Sequence, residues 1–133
     1  MGRKMKIRFG DVDAVADLYE DQAPKTCEAV WNALPLEYSH VLHARFSGEE
    51  AFFPCPWLMD ELENQRFDCQ PGDIGYFVQG PSICFYYGKL KVITPGNVFA
   101  RVTQNWEGLY RVAKQTWKDH NIAVRLERSE DAS

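Results

Sequence analysis

Apolar residues return at every second position along most of this chain, and at spacings of three and four in only two stretches. An alternation of two puts successive side chains on opposite faces of a strand, whereas the longer spacing draws one stripe down a helix. A chain written this way folds around a sheet, with two helices laid against it. The alternation starts in Met5–Phe9, turns at Gly10-Asp11 and resumes in Val12–Tyr19, where Val12, Ala14, Ala16 and Leu18 share a face. Asp21 then reads as the cap of a helix that carries Pro24 in its first turn, where a missing N–H costs nothing. Cys27, Val30, Trp31 and Leu34 form its stripe and Pro35 closes it.

From Leu36 to Phe46 the period returns to two, with Leu36, Tyr38, His40, Leu42, Ala44 and Phe46 on one face. Ser47-Gly48 reads as a tight turn back through Glu49 to Phe53, and Pro54 and Pro56 stop that strand. Trp57 to Gln65 reads as a short helix opened by Pro56. After the turn at Pro71-Gly72 come a strand at Asp73–Val78 and a dense run, Ser82–Tyr87, suited to a central strand buried on both faces. Asn97–Thr103 follows Pro95-Gly96. A second helix spans Trp106–Asp119, capped by Asn105, with Leu109, Val112, Ala113, Thr116 and Trp117 on its inner stripe. Ile122, Val124 and Leu126 alternate in a last strand. The fold class is therefore mainly β: a closed antiparallel barrel of about eight strands, its open ends capped by two helices. Closure removes exposed sheet edges. The 133 residues make one domain, with frayed ends expected at 1–4 and 128–133.

Charge narrows the function. Fifteen basic against nineteen acidic residues give a net charge of −4, which leaves no cation excess for neutralising phosphates, so no nucleic-acid partner is expected. No apolar run reaches the roughly 20 residues of a membrane helix. The basic start, Met1 to Lys6, lacks the apolar stretch of a signal peptide. Four dispersed cysteines without a C-x-x-C pair fit reduced thiols in a cytoplasmic protein. Three scattered histidines make no metal set, and no cofactor is implied. The aromatic share of 14% is high for a small domain, and from it a homo-oligomer is expected.

Local segments then resemble a known fold. Ala23-Pro24-Lys25-Thr26-Cys27-Glu28 is similar to the opening of the first cyclophilin helix, where P-K-T follows the second strand. Val98-Phe99-Ala100-Arg101-Val102, followed after a spacer by Gly108-Leu109-Tyr110-Arg111-Val112, resembles the V-F-G-K-V strand and helix near the cyclophilin C-terminus. Cys84-Phe85-Tyr86-Tyr87 stands where cyclophilins carry S-Q-F-F. His43-Ala44-Arg45-Phe46-Ser47-Gly48-Glu49, Gln70-Pro71-Gly72-Asp73 and Pro95-Gly96-Asn97 are similar to segments of bacterial cyclophilin-like proteins whose function is not established. The resemblance spans nearly the whole chain and implies the cyclophilin-like barrel. It does not bring prolyl isomerase activity with it. Arg45 is shifted by one residue from the usual H-R pair, no F-M-x-Q segment follows, and Gly96 stands where the pocket histidine would be. Activity inherited from fold alone is analogy.

Candidate chemistry concentrates at His43 and Arg45, two apart on one strand and so about 7 Å apart on one face. A guanidinium matches a carboxylate and an imidazole titrates near neutrality, so together they could anchor a small carboxylate- or carbonyl-bearing metabolite and move a proton. A two-residue loop at Ser47-Gly48 would set Glu50 across from Arg45 and Phe52 across from His43. Arg45 and Glu50 read equally as an exposed ion pair worth under about 1 kcal/mol. Glu50, Phe53, Tyr76, Phe85, Tyr86, Asn97 and Arg101 are the candidate ligand contacts. Against that stands the plainer use of each: barrel core for the aromatics, turn backbone for Asn97, an outward face for Arg101. His40 reads as a structural histidine, and Cys55 between two prolines as the most exposed thiol. Three functions stay open: a metabolite pocket that binds or also turns over its ligand, a degenerate peptidyl-prolyl isomerase, and a non-catalytic oligomeric interaction module.

Overall fold

A computed structural model describes residues 2–92 and 94–129. Nine strands form a single antiparallel sheet: β1 (Lys4–Phe9), β2 (Val12–Leu18), β3 (Leu36–Tyr38), β4 (Leu42–His43), β5 (Gly48–Pro54), β6 (Asp73–Phe77), β7 (Ser82–Leu90), β8 (Asn97–Gln104) and β9 (Val124–Arg128). Their spatial order is β3-β9-β1-β2-β8-β6-β7-β5-β4. The sheet curls into a half-barrel, and the two helices, α1 (Pro24–Ala33) and α2 (Trp106–Gln115), pack against it.

The barrel is not closed, which corrects the expectation. The long alternating run Leu36–Phe46 would have paired with β9 at one end and β5 at the other, joining the sheet to itself. Instead it breaks. β3 stops at Tyr38, Ser39–Val41 bend away, β4 lasts two residues, and Arg45–Ser47 winds into one turn of 3-10 helix. The bend is held from outside the ladder, because Val41 N donates to Ile122 O (2.9 Å) and His40 Nδ1 lies 3.0 Å from His120 O. The edges of the sheet are thus consecutive in the chain and joined covalently, with no β3–β4 ladder between them.

Most of the core lies within the curl. Met5, Ile7 and Phe9 of β1, Ala14 and Ala16 of β2, and Phe53, Ile83, Phe85 and Tyr87 of β5 and β7 are buried there with Val30 of α1 and Leu109 and Val112 of α2. The central strand β7 is buried on both faces, as its dense sequence predicts. Its even-numbered residues Cys84 and Tyr86 form with Val98 a second, smaller cluster on the outer face, against Phe52, Phe77 and Cys69. This outer cluster forms the floor of one of the two clefts described below.

Two local expectations are also corrected. Trp57–Gln65 is no helix but an irregular strap. Asp21 does not cap α1: the N-cap residue is Ala23, and the donors Lys25 N and Thr26 N are taken by Glu63 of the strap, at 3.2 and 2.8 Å. Asn105 does cap α2, accepting from Gly108 N at 3.2 Å. Lys4 and Arg128, expected in frayed ends, belong to β1 and β9; Met1 and residues 130–133 lie outside the described residues. No helix among the described residues is long and apolar enough to cross a membrane.

Candidate functional site

The hairpin from β4 to β5 decides what meets what. Its true register sets His43 across from Ala51, and Ala44 N donates to Glu50 O at 2.8 Å. The expected pairing is off by one residue, because the 3-10 turn Arg45–Ser47 and Gly48, at φ +99°, replace a two-residue loop. Side chains alternate along a strand, so one residue of register moves a side chain to the opposite face. Glu50 therefore turns away from His43. A β-bulge between Gly48 and Glu50 adds to the separation. Gly48 cannot be replaced cheaply: besides its positive φ, a Cβ there would lie 2.5 Å from Lys89 O.

The result is two clefts, one on each side of this hairpin. The first, of about 480 Å³, opens on the outer face of the sheet. Glu50 and Phe52 of β5, Cys84 and Tyr86 of β7, Phe77 of β6, and Phe46 and Ser47 of the 3-10 turn line it. Glu50 pairs directly with Tyr86 and Phe52 with Cys84. Among the described lining residues there is no basic side chain. Burial accordingly raises the Glu50 pKa above the usual carboxylate value, with the Cys84 thiol and Ser47 hydroxyl pulling it partly back. Tyr86 is 2% exposed and burial raises its pKa steeply, so it stands as a neutral phenol. Its position requires glycine opposite: a Cβ on Gly75 would lie 2.9 Å from its ring and 3.0 Å from Oη. Phe46 projects at the mouth, 74% exposed.

The second cleft, of about 660 Å³, lies between the start of β5, Tyr87, and the end of α2 with the turn that follows it. His43 is behind its wall. Its Nε2 is 2.6 Å from Tyr87 Oη, its ring meets Trp117 edge-on at 4.5 Å, and its Nδ1 is buried without a partner. Burial first, then the nearby Arg45 charge, lower the His43 pKa to about 4, against a smaller opposing pull from Glu49. At neutral pH the ring is uncharged. Arg45 is exposed, stacks over the Trp117 ring at 5.2 Å and donates from Nη2 to Trp117 O. His43 and Arg45 do meet, but at Trp117, and Arg45's fork is engaged there.

The other candidate contacts are placed as follows. Phe53, Tyr76 and Phe85 are inside the main core, at most 1% exposed. Tyr76 Oη accepts from Leu58 N (2.9 Å) and so holds the strap. Asn97, fully buried, accepts from Glu63 N at 3.1 Å and donates to Thr26 Oγ1 at 3.2 Å and Glu61 O at 2.8 Å. It is a structural junction. Arg101 is exposed and lines a shallow depression with Lys4, Asp17 and Tyr19. Of the seven, Glu50 and Tyr86 come together in one cleft. Phe46, Ser47, Phe52 and Cys84 join them, which strand parity could have shown, since Glu50 with Phe52 and Cys84 with Tyr86 are two apart. Cys55 is half-buried and burial pushes its thiol pKa up to about 12, so it is no poised nucleophile. Among the described residues no group of three His, Cys, Asp or Glu could hold a metal ion.

Comparison with known proteins adds the following. The profile of a family described as "Protein of unknown function (DUF3830)" matches residues 5–127. No curated protein sequence matches. Among solved structures, McbB, determined in complex with tryptophan, superposes with a TM-score of 0.82 at 22% identity, over 97% of this chain and 46% of McbB. The chain thus spans less than half of McbB's length. A hypothetical protein, AF2241 from Archaeoglobus fulgidus, gives a TM-score of 0.70 at 27% identity over 96% of this chain and 95% of its own.

Proposed function

The chain belongs to the DUF3830 family of unknown function, and we propose that it binds a small carbonyl- or amine-bearing molecule in the outer-face cleft, with Glu50 as the proton-exchanging group. One observation carries this reading: a carboxyl whose pKa burial raises, facing an aromatic-rimmed cleft that none of its described lining residues supplies with a cation. A structural carboxylate is ordinarily paired, so a desolvated one at the floor of a cavity is a candidate acid/base. Held toward its neutral form, Glu50 can donate a proton to a carbonyl oxygen and take one back as the carboxylate. An ammonium group would instead hold it ionised and pair with it. Phe46, Phe52 and Phe77 offer apolar area to the rest of the ligand, and Ser47 and Thr94 supply neutral polar contacts.

This moves the centre of the pocket from His43 and Arg45 to Glu50. The pair keeps a positioning part, since Arg45 fastens one end of the turn that carries Phe46 and Ser47. The cyclophilin-like reading of the barrel belongs to the same proposal and is supported by the motifs in chain order. No proline pocket is part of it.

The test is a titration of the protein with tryptamine, followed by amide NMR. Tryptamine carries an aromatic ring and an ammonium group, and it is tryptophan, the ligand of the McbB complex, without the carboxylate. Shifts are expected at Phe52, Cys84 and Tyr86, and Glu50→Gln should weaken binding about tenfold, the loss of one charge-assisted hydrogen bond. Binding that is unaffected by Glu50→Gln removes the proposal.

A further inference from the structure

The outer-face cleft is shaped by side-chain size as well as by charge. Along the central strand β7 the residues on that face are small, Ser82 and Cys84, and each neighbouring strand sets a phenylalanine beside them. Phe52 of β5 pairs with Cys84, and Phe77 of β6 pairs with Ser82. Paired residues on adjacent strands stand about 5 Å apart and share a face, so the two rings flank the small pair from opposite sides. The depth of the hollow comes from that difference in size. A third ring, Phe46 of the 3-10 turn, stands at the mouth. All three rings line the cleft and none is fully buried.

Within this apolar frame Glu50 is the one carboxylate among the described lining residues, and no lysine, arginine or histidine joins it. No cation elsewhere compensates it either. Burial raises its pKa, and only the Cys84 thiol and the Ser47 hydroxyl act against that. An ionised Glu50 therefore leaves the cleft with an unmatched negative charge, which a ligand cation would neutralise. Cations differ in how many donors they bring. A primary ammonium carries three N–H groups, each of which needs an acceptor once water is excluded. Glu50 satisfies one or two of them, and phenyl rings are weak acceptors. A dimethylammonium carries one donor and a trimethylammonium none, while their methyl groups, which share the positive charge, gain from aromatic rings.

We propose that the outer cleft selects a methylated ammonium group, tertiary or quaternary, with its methyls among Phe46, Phe52 and Phe77 and its charge met by Glu50. The inference rests on the reading of this cleft as the binding site, and narrows its ligand to N-methylated amines. A dimethylammonium still exchanges its single N–H proton with the carboxylate. A trimethylammonium is held by charge and rings alone.

Ethanolamine, N,N-dimethylethanolamine, choline and 3,3-dimethyl-1-butanol share one skeleton and separate methylation from charge, because the last is choline with carbon in place of nitrogen. In titrations at pH 7 followed by amide NMR, dimethylethanolamine and choline are expected to bind at least about fivefold more tightly than ethanolamine or the neutral alcohol. Shifts are expected at Phe52, Phe77 and Cys84. Phe46→Leu and Phe77→Leu keep apolar volume but remove a ring. Each should weaken choline about threefold or more and leave the neutral alcohol within about twofold. Phe46 is exposed, so its variant removes the ring without threatening the fold. Choline binding no tighter than ethanolamine, or no tighter than the neutral alcohol, overturns the inference, as does unchanged choline affinity in both leucine variants. Any of these results beside Glu50-dependent tryptamine binding keeps the site and removes its selectivity; loss of tryptamine and choline binding alike removes the reading beneath it.

Discussion

His43 uses its two ring nitrogens unequally: Nε2 has Tyr87, and Nδ1 is buried with no partner. Protonating the ring would place a charge in a half-buried site beside the Arg45 cation, which is why its pKa falls from about 6.5 to about 4. The sign of the linked stability follows. Between those values the unfolded chain binds the proton and the folded chain does not, so stability is fully present above pH 6.5 and is lost as pH falls toward 4. A shift of this size corresponds to at most about 3 kcal/mol, reduced by partial solvent screening to ~2 kcal/mol. Urea denaturation at a series of pH values should show this extra loss in the wild type. In His43→Gln the slope between pH 6.5 and 4 should flatten, whatever the variant's stability at pH 7. Parallel slopes would place the titration elsewhere. The residue scale also shows what a motif can and cannot carry. His43 and Arg45 were legible as a pair because their spacing is local. Their meeting at Trp117, more than seventy positions on, has no local signature.

At the scale of elements the same divide recurs. β1, β2, α1 and the start of α2 could be read because each writes its period within ten residues or fewer, and the Asn105 cap stands three residues from its donor; the end of α2 was not, since the helix stops at Gln115 and not at Asp119, which leaves Trp117 off its inner stripe. β7 was legible as a two-sided strand because its run has no polar alternation. The hairpin register was not: it rests on a 3-10 turn and a bulge, and one residue decides whether Glu50 faces His43 or the outer cleft. Nor was the strap over residues 57–65, whose organisation is tertiary. Glu63 accepts from Lys25 N, Thr26 N and Thr26 Oγ1, and Asn97 binds the strap to β8. Glu63 thus acts as the N-cap that α1 lacks in its own sequence. Glu63→Ala should cost about 1–2 kcal/mol, the worth of a capping side chain. It should also raise amide exchange both in the first turn of α1 and in the strap, because one side chain serves both. Exchange rising in the helix alone would make Glu63 a cap and nothing more.

For the whole molecule, the open sheet changes how self-association must be argued. A closed barrel has no edges; this one has two, and both are poor templates. β3 offers three residues and β4 two, and the bend at Ser39–Val41 keeps them near each other, since three residues span roughly 10 Å at full extension. Edge-to-edge pairing of copies is therefore disfavoured, and a homo-oligomer would have to use side chains. The exposed large apolar residues supply a surface: Trp57, Leu62 and Phe67, each more than 60% exposed, fall on the single irregular segment between β5 and β6. Trp57, Leu62 and Phe67 stand within eleven residues of one another on that segment, so an interface formed by it would cover all three. The expected occupant is the same segment of a second copy, because a two-fold interface brings a patch against itself. Sedimentation velocity should then show a mass that rises above 15.3 kDa with loading concentration. The double variant Trp57→Ser, Phe67→Ser should hold that mass at the monomer value without loss of folded signal, since neither side chain lies in the core. A wild type that sediments as a monomer at every concentration would leave those residues free for a different partner, and would separate the aromatic excess of the sequence from self-association.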